Sequence, residues 1–245
     1  MKTIKKICLF TSAIILLSCN NSGTKSADTS DTIKKDTSTP IDCPMRKYGM
    51  DMKNMKPFAD VEKYIAFLER KDRAIWQKPD SVVSYMKLKG TETIADIGAG
   101  SGYFSFRFAN ALPKGKVIAI DIEPEMIMHI HHKVKASKIN NMEVVLASAD
   151  DPKVPANVDV VFICDVLHHL ANRAKLLSTL YSEINKGTKL ILIEFREGNL
   201  PQGPPEKMKI TSKEMKSSMK DAGFVLIKEN KTLLPYQNYF EFEKK

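Results

Sequence analysis

The 245-residue chain is poor in several things, and each shortage excludes something. It has four cysteines, Cys8, Cys19, Cys43 and Cys164, too dispersed to form a disulfide framework. Its longest apolar run, Ile7 to Leu17, falls short of the roughly 20 residues a membrane span needs. No segment repeats, which excludes a solenoid. No aromatic-basic ladder accompanies the positive charge, so a nucleic-acid partner is not expected. What remains is ordinary for a globular chain: 43% hydrophobic, 27% charged and 8% aromatic residues, enough for one sizeable core. The net charge is +9, and setting aside Lys2, Lys5 and Lys6 leaves +6, spread over helix-like stretches. A solvated surface or an anionic membrane neighbour accounts for it.

The first 19 residues, MKTIKKICLFTSAIILLSC, place a basic start before the apolar run and a small residue, Ser18, before Cys19. That is the layout of a secretory signal. Leu16-Leu17-Ser18-Cys19 resembles the bacterial lipobox, which implies lipidation of Cys19 and a membrane-anchored lipoprotein of a bacterial envelope. Residues 1–18 then read as the signal peptide and 19–43 as a tether of Ser, Thr, Asp, Lys and Asn, too polar to bury a core. Cys43, Met45, Met50, Met52 and Met55 form a sulfur-rich patch that packing explains better than copper(I) binding. Residues 44–90 read as a helical extension, with one helix over Val61–Arg70 and another from Pro79 stopped by Gly90.

From residue 91 the pattern changes. Short β-rich apolar runs (Thr93–Ile97, Lys116–Asp121, Met142–Leu146, Val158–Cys164, Lys189–Phe195) alternate with helical spacing over Gly102–Leu112, Glu125–Ser137 and Asn172–Ile184. Strand–helix alternation predicts an α/β fold, a parallel sheet with helices on both faces. The tail offers a helix over Ser212–Ala222, a strand from Phe224, a turn at Pro235 and an alternating strand through Phe240 and Phe242. Two strands joined so closely must be antiparallel.

The chemistry concentrates in IADIGAGSG, residues 94–102. Glycines after a strand admit a ligand close to the backbone, and the following helix offers free N–H groups. The spacing is G-x-G-x-G rather than the dinucleotide G-x-G-x-x-G, which disfavours a nicotinamide oxidoreductase. Asp96 sets a carboxylate at the mouth of the strand, suited to an ammonium group. Asp121, about 20 residues past the glycines, is placed to take both hydroxyls of a ribose. A ligand with a cationic amino-acid end and a ribose end satisfies both acids.

These residues resemble the class I S-adenosylmethionine-dependent methyltransferases, close to the type-11 group. The similarity rests on DIGAGSGYF, the acid in IAIDIEPEM, the DD pair in ASADDPKVP, and DVLHHL after the fourth strand; RAIWQKPD and LPYQNYF also look like a subgroup of that family. The resemblance implies a Rossmann-like, seven-stranded, mostly parallel sheet with one antiparallel strand. It implies S-adenosylmethionine as cofactor and methyl transfer to a small-molecule or lipid-like acceptor. Asp96 would face the methionine amino group, and Gly98, Gly100 and Gly102 would line the methionine and ribose. Asp121 would hold the ribose diol, Ile122 would flank the adenine, and Asp150 or the backbone near it would meet the adenine edge. Ser148 stands where relatives often carry an acid. Tyr103 borders the glycine turn and is a candidate neighbour of the methyl group. Proton acceptors fall at the ends of the fourth and fifth strands: Asp165 and His168 first, then His169 and Glu194. His129, His131 and His132 lack a completing Cys or acid cluster, so no metal site is expected. A tethered, non-catalytic nucleoside-binding module is the alternative reading of the same pocket.

Overall fold

The computed structural model describes residues 58–245. The signal-like segment, Cys19, the tether and the sulfur-rich patch lie outside the described residues. Three helices come first: α1 (Phe58–Leu68), α2 (Arg73–Gln77) and α3 (Pro79–Met86). The strands are β1 (Thr93–Ile97), β2 (Lys116–Asp121), β3 (Met142–Leu146), β4 (Val160–Cys164), β5 (Lys189–Phe195), β6 (Phe224–Asn230) and β7 (Gln237–Lys244). Between them run α4 (Ser105–Ala111), α5 (Pro124–Ala136), α6 (Arg173–Glu183) and α7 (Ser212–Asp221).

All seven strands form one sheet in the order β3-β2-β1-β4-β5-β7-β6. The first five are parallel, and β7 runs antiparallel to both β5 and β6. The expected α/β sheet with one antiparallel strand is therefore the observed one. Alternation along the strands sorts the core into two layers. Ala95, Ile118, Val161, Leu192 and Phe240 pack with α6 and α7 through Leu177, Leu180, Met215 and Met219. Ile94, Val117, Phe162, Ile191 and Tyr239 pack with α3, α4 and α5 through Val82, Phe108 and Ile130. Helix starts are secured locally. Asn172 accepts from the Lys175 N–H at the head of α6, and Thr211 with Glu214 closes a reciprocal cap on α7.

Boundaries differ from the sequence expectation where backbone geometry intervenes. The helix after β1 starts at Ser105 rather than Gly102, because Gly102 has φ 81°, outside the helical region. α1 ends at Leu68, and α2 is a separate turn that the sequence pattern does not announce. Strand order reverses between β2-β1 and β4, so a crevice opens beyond the carboxyl ends of β1 and β4.

Candidate active site

The floor of that crevice is the turn after β1. Gly98 has φ 72°, and both its N–H and that of Ala99 donate to the Ile120 carbonyl, at 2.8 and 3.0 Å. A Cβ on Gly98 would sit 2.2 Å from Val166 Cγ2, so only glycine lets the β1 turn approach the segment after β4 so closely. Two residues on, the Gly100 N–H donates to Asp121 Oδ2 at 2.7 Å, tying the turn to the tip of β2. The Glu123 N–H donates to Asp121 Oδ1 at 2.9 Å. Each carboxylate oxygen keeps a further lone pair for a ligand donor. Burial pushes the Asp121 carboxyl up despite these backbone bonds.

Asp96 is buried and accepts from the Ser105 hydroxyl at 2.5 Å. Burial, reinforced by the negative charge of Asp121, pushes it up to about 7 against the Ser105 bond. Beside Asp121 opens a shallow crevice with mostly apolar walls that include Gly98, Ile122, Ala147, Ser148 and Ala149. A flat heterocycle attached to a ribose held by Asp121 fits such walls, so the residues present suit a nucleoside cofactor. Ile122 is half exposed and lines the crevice. Asp150 does not line it: its side chain is exposed, in a turn closed by the paired backbones of Ser148 and Asp151. Ser148 and Ala149, the two residues before Asp150, line the crevice.

The segment after β4 carries the second half of the site. Asp165 has φ 60°, rare for a side-chain-bearing residue outside turns and functional sites. Its carboxylate accepts from Gln77 Nε2 at 2.8 Å and from Gln237 Nε2, which lies 2.7 Å from both oxygens. Burial and the nearby charge of Glu194 push Asp165 up to about 6, while Arg73, the Gln237 bond and His168 oppose them. Gln77 Nε2 also donates to Cys164 Sγ at 3.0 Å, and Arg73 Nε donates to Gln77 Oε1. Burial and Asp165 push the Cys164 thiol well up, so it is a neutral, unreactive group.

The Arg73 guanidinium lies 4.0 Å from the centroid of the Tyr103 ring and that of Arg107 lies 4.3 Å from it. Tyr103 is thus packed between cations and an edge-on Phe104, with its hydroxyl buried and without a hydrogen-bond partner. His168 lies on the 3-10 turn Leu167–His169, its side chain 4% exposed. Its Nδ1 is 2.7 Å from Glu194 Oε2, and the Leu167 N–H donates to Oε1 of the same carboxylate at 2.7 Å. Burial lowers the His168 imidazole, but the Glu194 bond and charge and the charge of Asp165 outweigh it and leave it raised. His169 is exposed, and burial of part of its ring with the neighbouring His168 lowers it.

The structure thus sets Gly98, Asp121 and Ile122 on the crevice wall, ties Gly100 to Asp121, and leaves Asp96 buried in β1 and Asp165 next to Val166. It folds His168 back onto Glu194. Arg73, Gln77 and Gln237 complete the second half, and none of them was singled out from the sequence. RAIWQKPD and LPYQNYF contain them, but a glutamine carries neither charge nor periodicity to mark it.

Residues 88–240 match the family described as "Methyltransferase domain". An uncharacterized methyltransferase of Schizosaccharomyces pombe is 30% identical over 119 residues, 45% of this chain and 41% of the relative. The ubiquinone/menaquinone biosynthesis C-methyltransferase of Escherichia coli is 28% identical over 107 residues, 42% of this chain and 43% of the relative. The chain therefore spans about two fifths of the length of these curated relatives. Among solved structures, a SAM dependent methyltransferase from Aquifex aeolicus superposes with a TM-score of 0.70 at 26% identity, covering 76% of this chain and 99% of that one. The match spans β1 to β7 with the glycine turn and both strand-tip acids inside it, and the chain belongs to the methyltransferase-domain family.

Proposed function

We propose that the protein binds S-adenosylmethionine and transfers its methyl group to a small-molecule or lipid-like acceptor. The observation that carries this reading is the pair of acids at adjacent strand tips, Asp96 and Asp121, flanking a glycine turn beside an apolar crevice. In its ionised form Asp96 receives the ammonium of the methionine end. Asp121, oriented by the Gly100 and Glu123 N–H groups, accepts from the ribose hydroxyls. Ile122 and the backbone of Ser148 and Ala149 wall the adenine. The cofactor supplies an electrophilic methyl group on a sulfonium; the protein supplies alignment, exclusion of water and, for a protonated acceptor, a base.

Asp165 is the proton acceptor we favour. It sits beyond the glycine turn, is fixed by two amides, and at about 6 is ionised at neutral pH while remaining basic enough to act. His168, oriented by Glu194, is the second candidate. We also propose, on the lipobox-like Leu16-Leu17-Ser18-Cys19, that a lipid on Cys19 holds the chain at a bacterial membrane.

Calorimetry of the protein with S-adenosylmethionine tests the first step. Binding is expected, and Asp121→Ala should weaken it about 10- to 100-fold, as loss of hydrogen bonds to a charged group does. Unchanged affinity in Asp121→Ala would refute the ribose role. Transfer across an acceptor panel that stops in Asp165→Asn but persists in His168→Gln assigns the base to Asp165. Tight binding with no transfer to any acceptor favours the non-catalytic module. Lipid labelling that is lost in Cys19→Ala tests the anchor.

A further inference from the structure

One side chain of α2 reaches both halves of the site. Arg73 opens that helix and Gln77 closes it, four residues on, so the two are neighbours on one face. The Arg73 Nη1–H donates to the Leu68 carbonyl at 2.6 Å, and its Nε–H donates to Gln77 Oε1. Leu68 ends α1 against the glycine turn, its Cδ1 3.2 Å from where a Cβ on Gly100 would stand. The guanidinium carbon lies 4.0 Å from the centre of the ring of Tyr103, the residue after Gly102.

The bond to Gln77 decides which way that amide points. An amide presents an acceptor on one side and a donor on the other. With Oε1 engaged by Arg73, Nε2 is left to donate to Asp165 Oδ2 at 2.8 Å and to Cys164 Sγ at 3.0 Å. The reversed amide would set its carbonyl against a carboxylate and its N–H groups against a guanidinium. Gln77 is fully buried, so solvent does not relieve that mismatch. The Arg73 charge bears on both halves as well. Burial drives both acids up, assisted by Asp121 at Asp96 and by Glu194 at Asp165. Arg73 opposes the rise at each, together with Ser105 at the first and with Gln237 and His168 at the second.

We propose that Arg73 is a positioning residue that couples the cofactor turn to the proton acceptor. One arm of its guanidinium fixes the end of α1 against Gly100, and the other fixes the Gln77 amide on Asp165. The proposal rests on the cofactor and base readings given above. Displacing Leu68 pulls on the same guanidinium that orients the base, so a badly seated cofactor also misplaces the proton acceptor.

Protein labelled with carbon-13 at the aspartate carboxyls, titrated by NMR from about pH 4 to pH 9, reads both acids without a methyl acceptor. The resonances missing from Asp96→Asn and from Asp165→Asn assign them. Arg73→Met removes the fork and the charge, and both midpoints should rise by roughly one pH unit. Gln77→Leu should raise that of Asp165 alone. Arg73→Lys restores the charge without the two-armed fork, so the Asp96 midpoint should return to the parent's while that of Asp165 stays raised. Calorimetry with S-adenosylmethionine at pH 7 should show binding weakened roughly tenfold in Arg73→Met and unchanged in Gln77→Leu. Parental midpoints in Arg73→Met, or both midpoints restored by Arg73→Lys, overturn the coupling. Absence of binding by the parent overturns the cofactor reading, and the titrations, run without cofactor, still decide whether Arg73 links the two acids. Should Arg73→Met not fold, the Asp165 midpoint of Arg73→Lys decides: raised, it supports the fork; parental, it overturns it.

Discussion

The Asp96 carboxyl, buried against Ser105 and pushed up to about 7, titrates inside the range where enzymes work. Unfolded, the same group ionises near 4. Between these values the native state holds a proton that the unfolded state has released, so Asp96 makes stability fall as pH rises from about 4 to about 7 and level off above. The full effect is of the order of 4 kcal/mol. Asp96→Asn should remove that part of the slope, read from denaturation midpoints at pH 5 and pH 8. Cofactor affinity should move the other way. The ionised carboxylate is the form that holds an ammonium, so binding should tighten from pH 6 to pH 8 in the parent and be weak and flat in Asp96→Asn. Equal pH profiles for the two proteins would separate Asp96 from the cofactor. These acids were legible in the sequence because a strand end followed by glycines fixes where a carboxylate must stand. At the adenine edge the sequence left Asp150 and the backbone near it as alternatives, because a run of Ser, Ala and Asp in a solvated turn offers no apolar anchor from which to judge which residue faces inward.

At the scale of elements, the five-residue α2 does more than connect. It puts Gln77, fully buried, between Arg73, Cys164 and Asp165. Gln77→Leu should take one amide from Asp165, push its carboxyl further above about 6, and shift the rising limb of the pH–rate profile to higher pH with lower turnover. Cofactor affinity should stay unchanged, because Asp96 and Asp121 bond elsewhere, and the fold should lose about 1–3 kcal/mol. A pH profile that does not move would make Gln77 a packing residue. The central strands β1, β2, β4 and β5 were readable from their apolar runs and are buried, while the edge strands β3 and β6 stay partly exposed. α2 was not readable, since RAIWQ spans little more than one turn and a single turn has no repeating stripe. The polar side chains of β7 were equally opaque. Gln237 and Asn238 are buried because β7 lies between β5 and β6, a placement that their polarity does not announce.

For the whole molecule, the family match begins at residue 88, yet much of the site is built before it. Leu68 roofs Gly100, Gln77 holds Asp165, and Val82 and Met86 fill the layer under α4. A chain without residues 58–87 should therefore melt at a markedly lower temperature and show neither cofactor binding nor turnover, measured by thermal scan and calorimetry. Retained binding would show that residues 88–240 suffice. The fold class was readable from the order of strands and helices, because that order admits few sheets; which remote segments meet at one side chain is set by packing between layers. Asp165 shows what that means over time. Its two amide partners lie 88 and 72 positions away along the chain, so loop closure over both distances must precede their meeting. A refolding population that has joined β1 to β2 but not yet seated β7 would already own the proposed nucleoside cradle while Asp165, the proposed base, still swings in water. Recovery of ligand capture should then run ahead of recovery of turnover, and the lag between them would time the insertion of a single strand.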